Sequence, residues 1–312
     1  MDTYIAVDIG GTQLRVSVYA EGENRPLKQK RIPTKGPDGS SLERLLGLIA
    51  EVWPSGDRVR AIGMAAPGPT NPFIGVIYTA PNIPGWEKLP LAQIVKERFN
   101  VPAALGNDAN MAALGEWRYG AGQGHHDLLY MTISTGIGGG VITGDRLLLG
   151  VNGLAAEIGH VTVDPNGPMC SCGHRGHLEA FASGTAIGNY VREQLASGVP
   201  SMLGEVANPT GRDISMAAEQ GDPLARSALS RAGIYIGKAL ADYLHIYNPS
   251  IIILGGGVSR SGSFLIEPLR TAVAENIMSP EYMQSLVITT AALGDDAGLL
   301  GALTLAQQCA NA

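Results

Sequence analysis

Tyr4-Ile-Ala-Val-Asp8-Ile-Gly-Gly-Thr-Gln-Leu-Arg-Val-Ser-Val18 decides how the rest of this chain is read. The apolar run from Tyr4 to Ile9 leads into Gly10, Gly11 and Thr12, and beyond them Leu14, Val16 and Val18 alternate with Arg15, Ser17 and Tyr19. A period of two is a strand. Dinucleotide-binding and P-loop glycines open a helix, and neither Gly-x-Gly-x-x-Gly nor a Gly-Lys-Ser/Thr ending is present. The stretch therefore predicts a β-hairpin whose tip exposes backbone N–H groups, with an acid at its base. Such a tip can hold phosphate, and Asp8 can hold a hydrated Mg²⁺. Taken alone, the motif is also readable as an ordinary Gly-Gly hairpin turn.

The plan recurs. Leu128 to Ser134 predicts a strand, Thr135-Gly-Ile-Gly-Gly-Gly140 a turn, and Val141-Ile142 the return strand, with Gly120-Ala-Gly-Gln-Gly as a boundary before them. Two such halves face each other across a cleft, each offering a hairpin tip to phosphate. Ser250-Ile-Ile-Ile-Leu254 is a buried strand that ends in Gly255-Gly-Gly-Val258. There an adenine or ribose can lie flat against backbone, or a plain strand-to-helix loop can turn. Helical patterns cover Ser41–Trp53, Leu89–Phe99, Ala180–Leu195 and, as one or two helices, Asp222–Tyr247. Strands are predicted at Val59–Ala66, Pro102–Leu105 and Leu286–Thr290, and a terminal helix from Asp296 to Gln308 is placed to pack back on the first half.

Two stretches carry candidate chemistry. Gly106-Asn107-Asp108-Ala-Asn110 stands where a strand ends and a helix begins. Asn or Asp there can cap the helix, but the carboxyl ends of strands are also where α/β proteins place catalytic groups. The second runs from Glu157-Ile-Gly-His160 through Cys170-Ser-Cys172-Gly-His174-Arg-Gly-His177-Leu-Glu179. Two thiolates and nearby imidazoles suit zinc, and Glu157 and Glu179 flank them as carboxylates for a polar ligand. Two buried thiols beside surface histidines is the plainer reading. Asn82-Ile-Pro-Gly-Trp86 is a proline-bracketed loop that could touch a ligand or merely turn.

Composition narrows the class. The 312 residues are 45% hydrophobic and 16% charged, which fits a compact protein with a real core. A net charge of −6 with no basic tract argues against nucleic acid as partner. No apolar run spans a membrane, and Met1-Asp-Thr-Tyr lacks a positive leader. Three cysteines do not make a disulfide framework, so a reducing cytoplasm is expected, with Cys309 a bystander.

Together these motifs resemble the ROK family (repressors, open reading frames and kinases) of the actin/hexokinase-like superfamily, over essentially the whole chain. The marks are Asp8-Ile-Gly-Gly-Thr12, Asn107-Asp108-Ala-Asn110, Ser134-Thr-Gly-Ile-Gly-Gly-Gly140, Glu157-Ile-Gly-His160, the Cys170-x-Cys172 loop and Leu254-Gly-Gly-Gly257. Asn82-Ile-Pro-Gly-Trp86 is similar to the bacterial glucokinase branch. The resemblance implies an α/β, ribonuclease H-like duplicated fold with two domains flanking a cleft: a small one over 1–118, on which a helix of about 296–312 packs, and a large one over 119–295 with the zinc loop. It implies Asp108 as catalytic base, and Gly68, Asn82, Asn107, Glu157, His160 and Glu179 around the sugar. The donor nucleotide falls to Asp8, Gly10, Gly11, Thr12 and Gln13, to Thr135, Gly136 and Gly138, and to Gly255, Gly256 and Gly257. Zinc falls to His160, Cys170, Cys172 and His177. Two departures stand out: His177 replaces the family's usual Cys, with His174 as a competitor, and Gln13 replaces a common Lys.

The implied activity is ATP- and Mg²⁺-dependent phosphorylation of a hexose, glucose above all, at its 6-hydroxyl, by a cytoplasmic homodimer. Kinases for N-acetylmannosamine, mannose, fructose or allose, and one using polyphosphate, are the nearer alternatives. A sugar-sensing repressor is a remote one: the first phosphate strand starts at Tyr4, leaving no room ahead of it for a DNA-binding domain. Water resembles the sugar hydroxyl as an acceptor, so the cleft should close on sugar before transfer.

Overall fold

In the computed structural model, which describes residues 1–36 and 39–311, the chain forms two five-stranded sheets of one topology. In chain order the first half supplies β1 (Asp2–Ile9), β2 (Gln13–Ala20), β3 (Pro26–Pro33), α1 (Ser41–Val52) and β4 (Arg58–Ala66). It continues with β5 (Thr70–Asn71), β6 (Val76–Thr79), β7 (Glu87–Leu89), α2 (Leu91–Phe99), β8 (Ala103–Asn107) and α3 (Asp108–Tyr119). The first sheet runs β3-β2-β1-β4-β8, antiparallel through the hairpins and parallel from β1 onward. β5, β6 and β7 make a small separate sheet.

The second half repeats the scheme with β9 (Leu128–Ile133), β10 (Ile137–Thr143) and β11 (Arg146–Leu147). Then follow α4 (Glu179–Ala182), α5 (Gly184–Ala196), α6 (Gly211–Glu219), α7 (Pro223–Tyr247), β12 (Ile251–Gly255), α8 (Ser263–Asn276), β13 (Val287–Thr290) and α9 (Ala297–Ala310). The order β11-β10-β9-β12-β13 has the same strand directions as the first sheet. Among the described residues no helix is long and apolar enough to cross a membrane.

Strand alternation explains the layers. On β1, Ile5, Val7 and Ile9 face a core shared with Leu45, Leu48 and Ile49 of α1 and Leu91 and Val95 of α2. The opposite face, Tyr4 and Ala6, meets Met111 and Leu114 of α3 and Leu299 and Leu303 of α9. Those two helices also touch Leu128, Tyr130, Ile251 and Ile253 of the second sheet, so they form the layer between the two sheets. Leu129, Met131 and Ile133 point away, into the core of α5, α7 and α8. The two central helices cross closely: a Cβ on Gly301 would lie 1.7 Å from the Met111 carbonyl oxygen.

Several elements differ from their predicted extents. The second turn spans only Ser134 to Gly136, because Gly138, Gly139 and Gly140 belong to β10, paired with Thr132, Met131 and Tyr130. The glycines serve packing here: a Cβ on Gly140 would lie 2.6 Å from the Ala113 Cβ of α3. The helix predicted over Ala180–Leu195 is two, divided at Ser183, whose hydroxyl accepts the Ala186 N–H and starts α5. Leu89 ends β7 instead of opening α2, since Pro90 intervenes. Pro223–Tyr247 is one helix, capped by Asp222.

Candidate active site

β8 runs toward the cleft and stops at Asn107, which caps α3. Its Oδ1 accepts the N–H groups of Ala109 (3.0 Å) and Asn110 (3.3 Å), and its Nδ2 donates to the Gly68 carbonyl (3.0 Å). Of the two residues able to cap, Asn107 does so. Asp108 takes only the Ala109 N–H, at 2.8 Å, and among the described residues no cation stands within ion-pair distance of it. Its carboxyl group opens on a cavity of about 220 Å³ whose wall includes Gly68, Asn107, Asn110, Gly138, Glu157 and His160.

Asp108 is exposed to solvent through the cleft, but the protein atoms crowded around its carboxyl partly desolvate it. That desolvation raises its pKa to about 6 from the ordinary 3.8; the Ala109 N–H opposes the rise, and the charges of Asp8 and Glu157 add to it. Burial likewise pushes Glu157 up, with His160 opposing and Glu179 assisting. Ala156, just before Glu157, holds φ at 66°, in the left-handed region. A side chain there costs about 1–2 kcal/mol, and such strain gathers at functional sites. Asn110 is buried in the same wall, and its Oδ1 has no hydrogen-bond partner among the described residues. An orphaned buried oxygen of this kind is a ready acceptor for a bound hydroxyl.

Two predicted sugar contacts stand apart from this cavity. Asn82 is exposed beside the first hairpin, where a Cβ on Gly11 would lie 2.8 Å from its own Cβ. Glu179 accepts the Ile137 N–H (3.0 Å) and the Ser171 hydroxyl (2.7 Å), so it fastens the Cys170 loop to the second hairpin. Gly138, predicted with the donor, lies in β10 on the cavity wall beside Ala109.

At the first hairpin, strand register sets Asp8 opposite Arg15. The Arg15 guanidinium donates twice to Asp8 Oδ2 (2.7 and 3.0 Å), reaches Asp296 at 3.3 Å, and donates to the Asp295 carbonyl. Gln13 is exposed at the start of β2. Gly255, Gly256 and Gly257 border a cavity of about 630 Å³ that also reaches Ser134 and Asp295. A neighbouring cavity of about 740 Å³ is lined by Thr135, Gly257 and three arginines, Arg192, Arg212 and Arg260. Sequence reasoning misses those arginines. Arg192 and Arg212 lie on separate helices with no local signal, whereas Arg260 follows the triple glycine by three residues.

The cysteine loop gathers a metal-binding set. One ligand atom each from His160, Cys170, Cys172 and His177 lies within 4.8 Å of the others. Bonds of about 2.0–2.3 Å to zinc would bring such atoms to roughly 3.3–3.8 Å apart, a small inward shift. His177 is the histidine of the set, its Nδ1 3.2 Å from Cys172 Sγ, against 3.8 Å for His174. Desolvation pushes the Cys172 thiol up, but hydrogen bonds with His174 and Cys170 and the charge of His160 bring it down to about 6, favouring thiolate. Two sulfurs and two imidazoles fit zinc. The His160 Nδ1 stands 3.7 Å from Cys170 Sγ while the ring borders the cavity, so one histidine touches both sites.

Comparison with known proteins agrees with this geometry. The model of the ROK family matches residues 4–309. A glucokinase of Thermotoga maritima is 39% identical over 310 residues, covering 97% of each chain. A xylose repressor of Bacillus spizizenii is 34% identical over 77% of this chain and 59% of its own length. Among solved structures, a ROK family glucokinase from Streptomyces griseus, in complex with glucose and AMPPNP, superposes with a TM-score of 0.81 at 38% identity, covering 98% of this chain and 99% of its own.

Proposed function

This chain belongs to the ROK family, and on that premise we propose that it transfers the γ-phosphoryl group of ATP to the 6-hydroxyl of a hexose, glucose above all. The observation that carries the reading is Asp108: a carboxylate relieved of capping by Asn107, with no ion-pair partner among the described residues, and facing a sugar-sized cavity with Glu157 and His160. The glucose and AMPPNP bound by the Streptomyces griseus relative support the substrate pair.

Asp108 accepts the proton of the sugar hydroxyl as its oxygen bonds to phosphorus and the bond to the ADP leaving group breaks. Phosphoryl transfer asks the protein chiefly to align reactants and neutralise charge. Glu157, His160, Asn107 and Asn110 hold ring hydroxyls, with Gly68 shaping the floor; Asn82 and Glu179 stand outside this cavity, at the first and second hairpins. The tips at Gly10 to Thr12 and Thr135 to Gly136 offer N–H groups to the transferring phosphoryl. Asp8, with Oδ2 taken by Arg15, has Oδ1 left to hold the water shell of a Mg²⁺ ion, which would lessen the charge of the bound nucleotide. Zinc held by His160, Cys170, Cys172 and His177 would fix the loop that carries the ring of His160.

A coupled assay across hexoses and phosphoryl donors tests the reading: glucose with MgATP should give the highest kcat/KM. Faster turnover of mannose, fructose, allose or N-acetylmannosamine would move the substrate, and no turnover of any hexose would overturn the kinase. Glu157→Gln should raise the KM for sugar by about tenfold or more, the scale of one hydrogen bond to a charged group. The KM for ATP should stay within about twofold. Equal loss for both substrates would point to a folding defect in place of a sugar contact.

A further inference from the structure

A triphosphate in this cleft needs positive charge, and the first hairpin supplies none that is free. Gln13 is neutral, and Arg15 is already engaged by Asp8, Asp296 and the Asp295 carbonyl. Backbone N–H groups at hairpin tips carry only partial charges. One side chain has the charge and the position that are missing. Arg260 follows Gly255, Gly256 and Gly257 in the short 3₁₀ turn Val258–Ser261, and it borders both donor-side cavities, of about 740 and 630 Å³. It is the sole cation on the wall of the second among the described residues. Its guanidinium reaches across the second half toward the segment before α9: Nη2 lies 3.8 Å from where a Cβ on Gly294 would sit. Arg260 is exposed, and no acid among the described residues stands within ion-pair distance of it.

A planar guanidinium offers paired N–H donors that match the oxygens of a phosphate. We propose that Arg260 binds the phosphate chain of the phosphoryl donor, supplying the charge that Gln13 lacks and Arg15 has spent on Asp8. The proposal rests on the kinase reading and assigns to that site a residue for the donor. Its position at the junction of the two cavities places the phosphates there, with the base in the larger cavity among Asn189, Pro209 and Thr210. Arg192 and Arg212, in the larger cavity alone, are left for the outer part of the nucleotide.

Calorimetry on the full chain tests this with three probes: MgADP, adenosine and inorganic tripolyphosphate. Arg260→Ala should weaken MgADP by roughly 10- to 100-fold, the scale of a charge-assisted hydrogen bond, and leave adenosine unchanged. Arg260→Lys, which keeps a charge but loses the fork, should recover part of the loss. Sugar KM at saturating donor should not move in either variant. Equal weakening of MgADP and adenosine would mean that Arg260 only shapes the pocket, and an unchanged MgADP affinity would also overturn the proposal. If wild type binds tripolyphosphate but not adenosine, and Arg260→Ala loses it, Arg260 holds phosphate while the donor is inorganic polyphosphate. A wild-type chain that binds none of the three defeats the kinase reading itself; one that binds them beside an indifferent Arg260→Ala defeats this assignment alone.

Discussion

Asp108→Asn is expected to lower kcat by about 10²- to 10⁴-fold, the usual contribution of a general base, while sugar and ATP still bind. An amide replaces the carboxylate almost atom for atom, so a capping or packing role would survive the change. In this chain the capping role is already filled, since Asn107 holds the first N–H groups of α3. The carboxyl titrates at about 6 in the folded protein against 3.8 ordinarily. Wild-type kcat/KM for sugar should therefore fall about tenfold per pH unit below 6, where the base of the free enzyme is protonated. The same shift fixes the sign of the effect on stability. The raised value means that folding disfavours the charged form, so Asp108 is best tolerated below the ordinary carboxyl pKa. That advantage is lost as pH rises through about 6. At pH 7.5 Asp108→Asn should melt no lower than wild type, and somewhat higher. A variant that is inactive and also melts early would mean a structural role, and one with near-normal turnover would mean that the base is elsewhere.

Cys172→Ser is expected to lose metal, thermal stability and sugar affinity together. Purified wild type should carry about one zinc per chain, and a four-ligand site of this kind contributes on the order of 10 kcal/mol to local folding. The loss reaches the sugar through His160, whose ring borders both the metal set and the cavity. It reaches the second hairpin through Glu179, which holds Ser171 of the loop and the N–H of Ile137. Metal analysis and melting of His177→Ala and His174→Ala separate the two histidines: the first should lose zinc and the second keep it. A zinc-free preparation with full activity would defeat the assignment.

What was legible beforehand divides by the range of the interaction responsible. The two hairpins show in the sequence because alternation and paired glycines are local signals, and the equivalence of the halves follows from their recurrence. The Asp8–Arg15 pair is also within reach of sequence: a hairpin turning at Gly10 to Thr12 places them opposite each other. The length of the second turn is not, because Gly138 and Gly140 answer to the approach of α3 and Gly139 to that of Ile158, both distant in the chain. Nor is the choice of cap, since Asn and Asp suit that position alike and only the Gly68 carbonyl tips it to Asn107. Glu179 was readable as an acid beside the metal loop, but its hold on Ile137 depends on a fold that brings that loop over β10. The three arginines of the larger cavity come from three separate segments that meet only in space.

The placement of α9 bears on the order in which the chain can fold. Tyr4, Ala6, Ala61 and Ala65 of the first sheet find their cover partly in Leu299, Leu300 and Leu303, residues made almost three hundred positions later than the first strand. Domains of a growing chain commonly fold as they emerge, at about 5–20 residues per second. Here the first sheet must wait, one apolar face covered only by α3, for on the order of ten to forty seconds while the second half is synthesised. During that interval the nascent chain presents the kind of surface that chaperones hold. The packing of that face is complete only once α9 has been made.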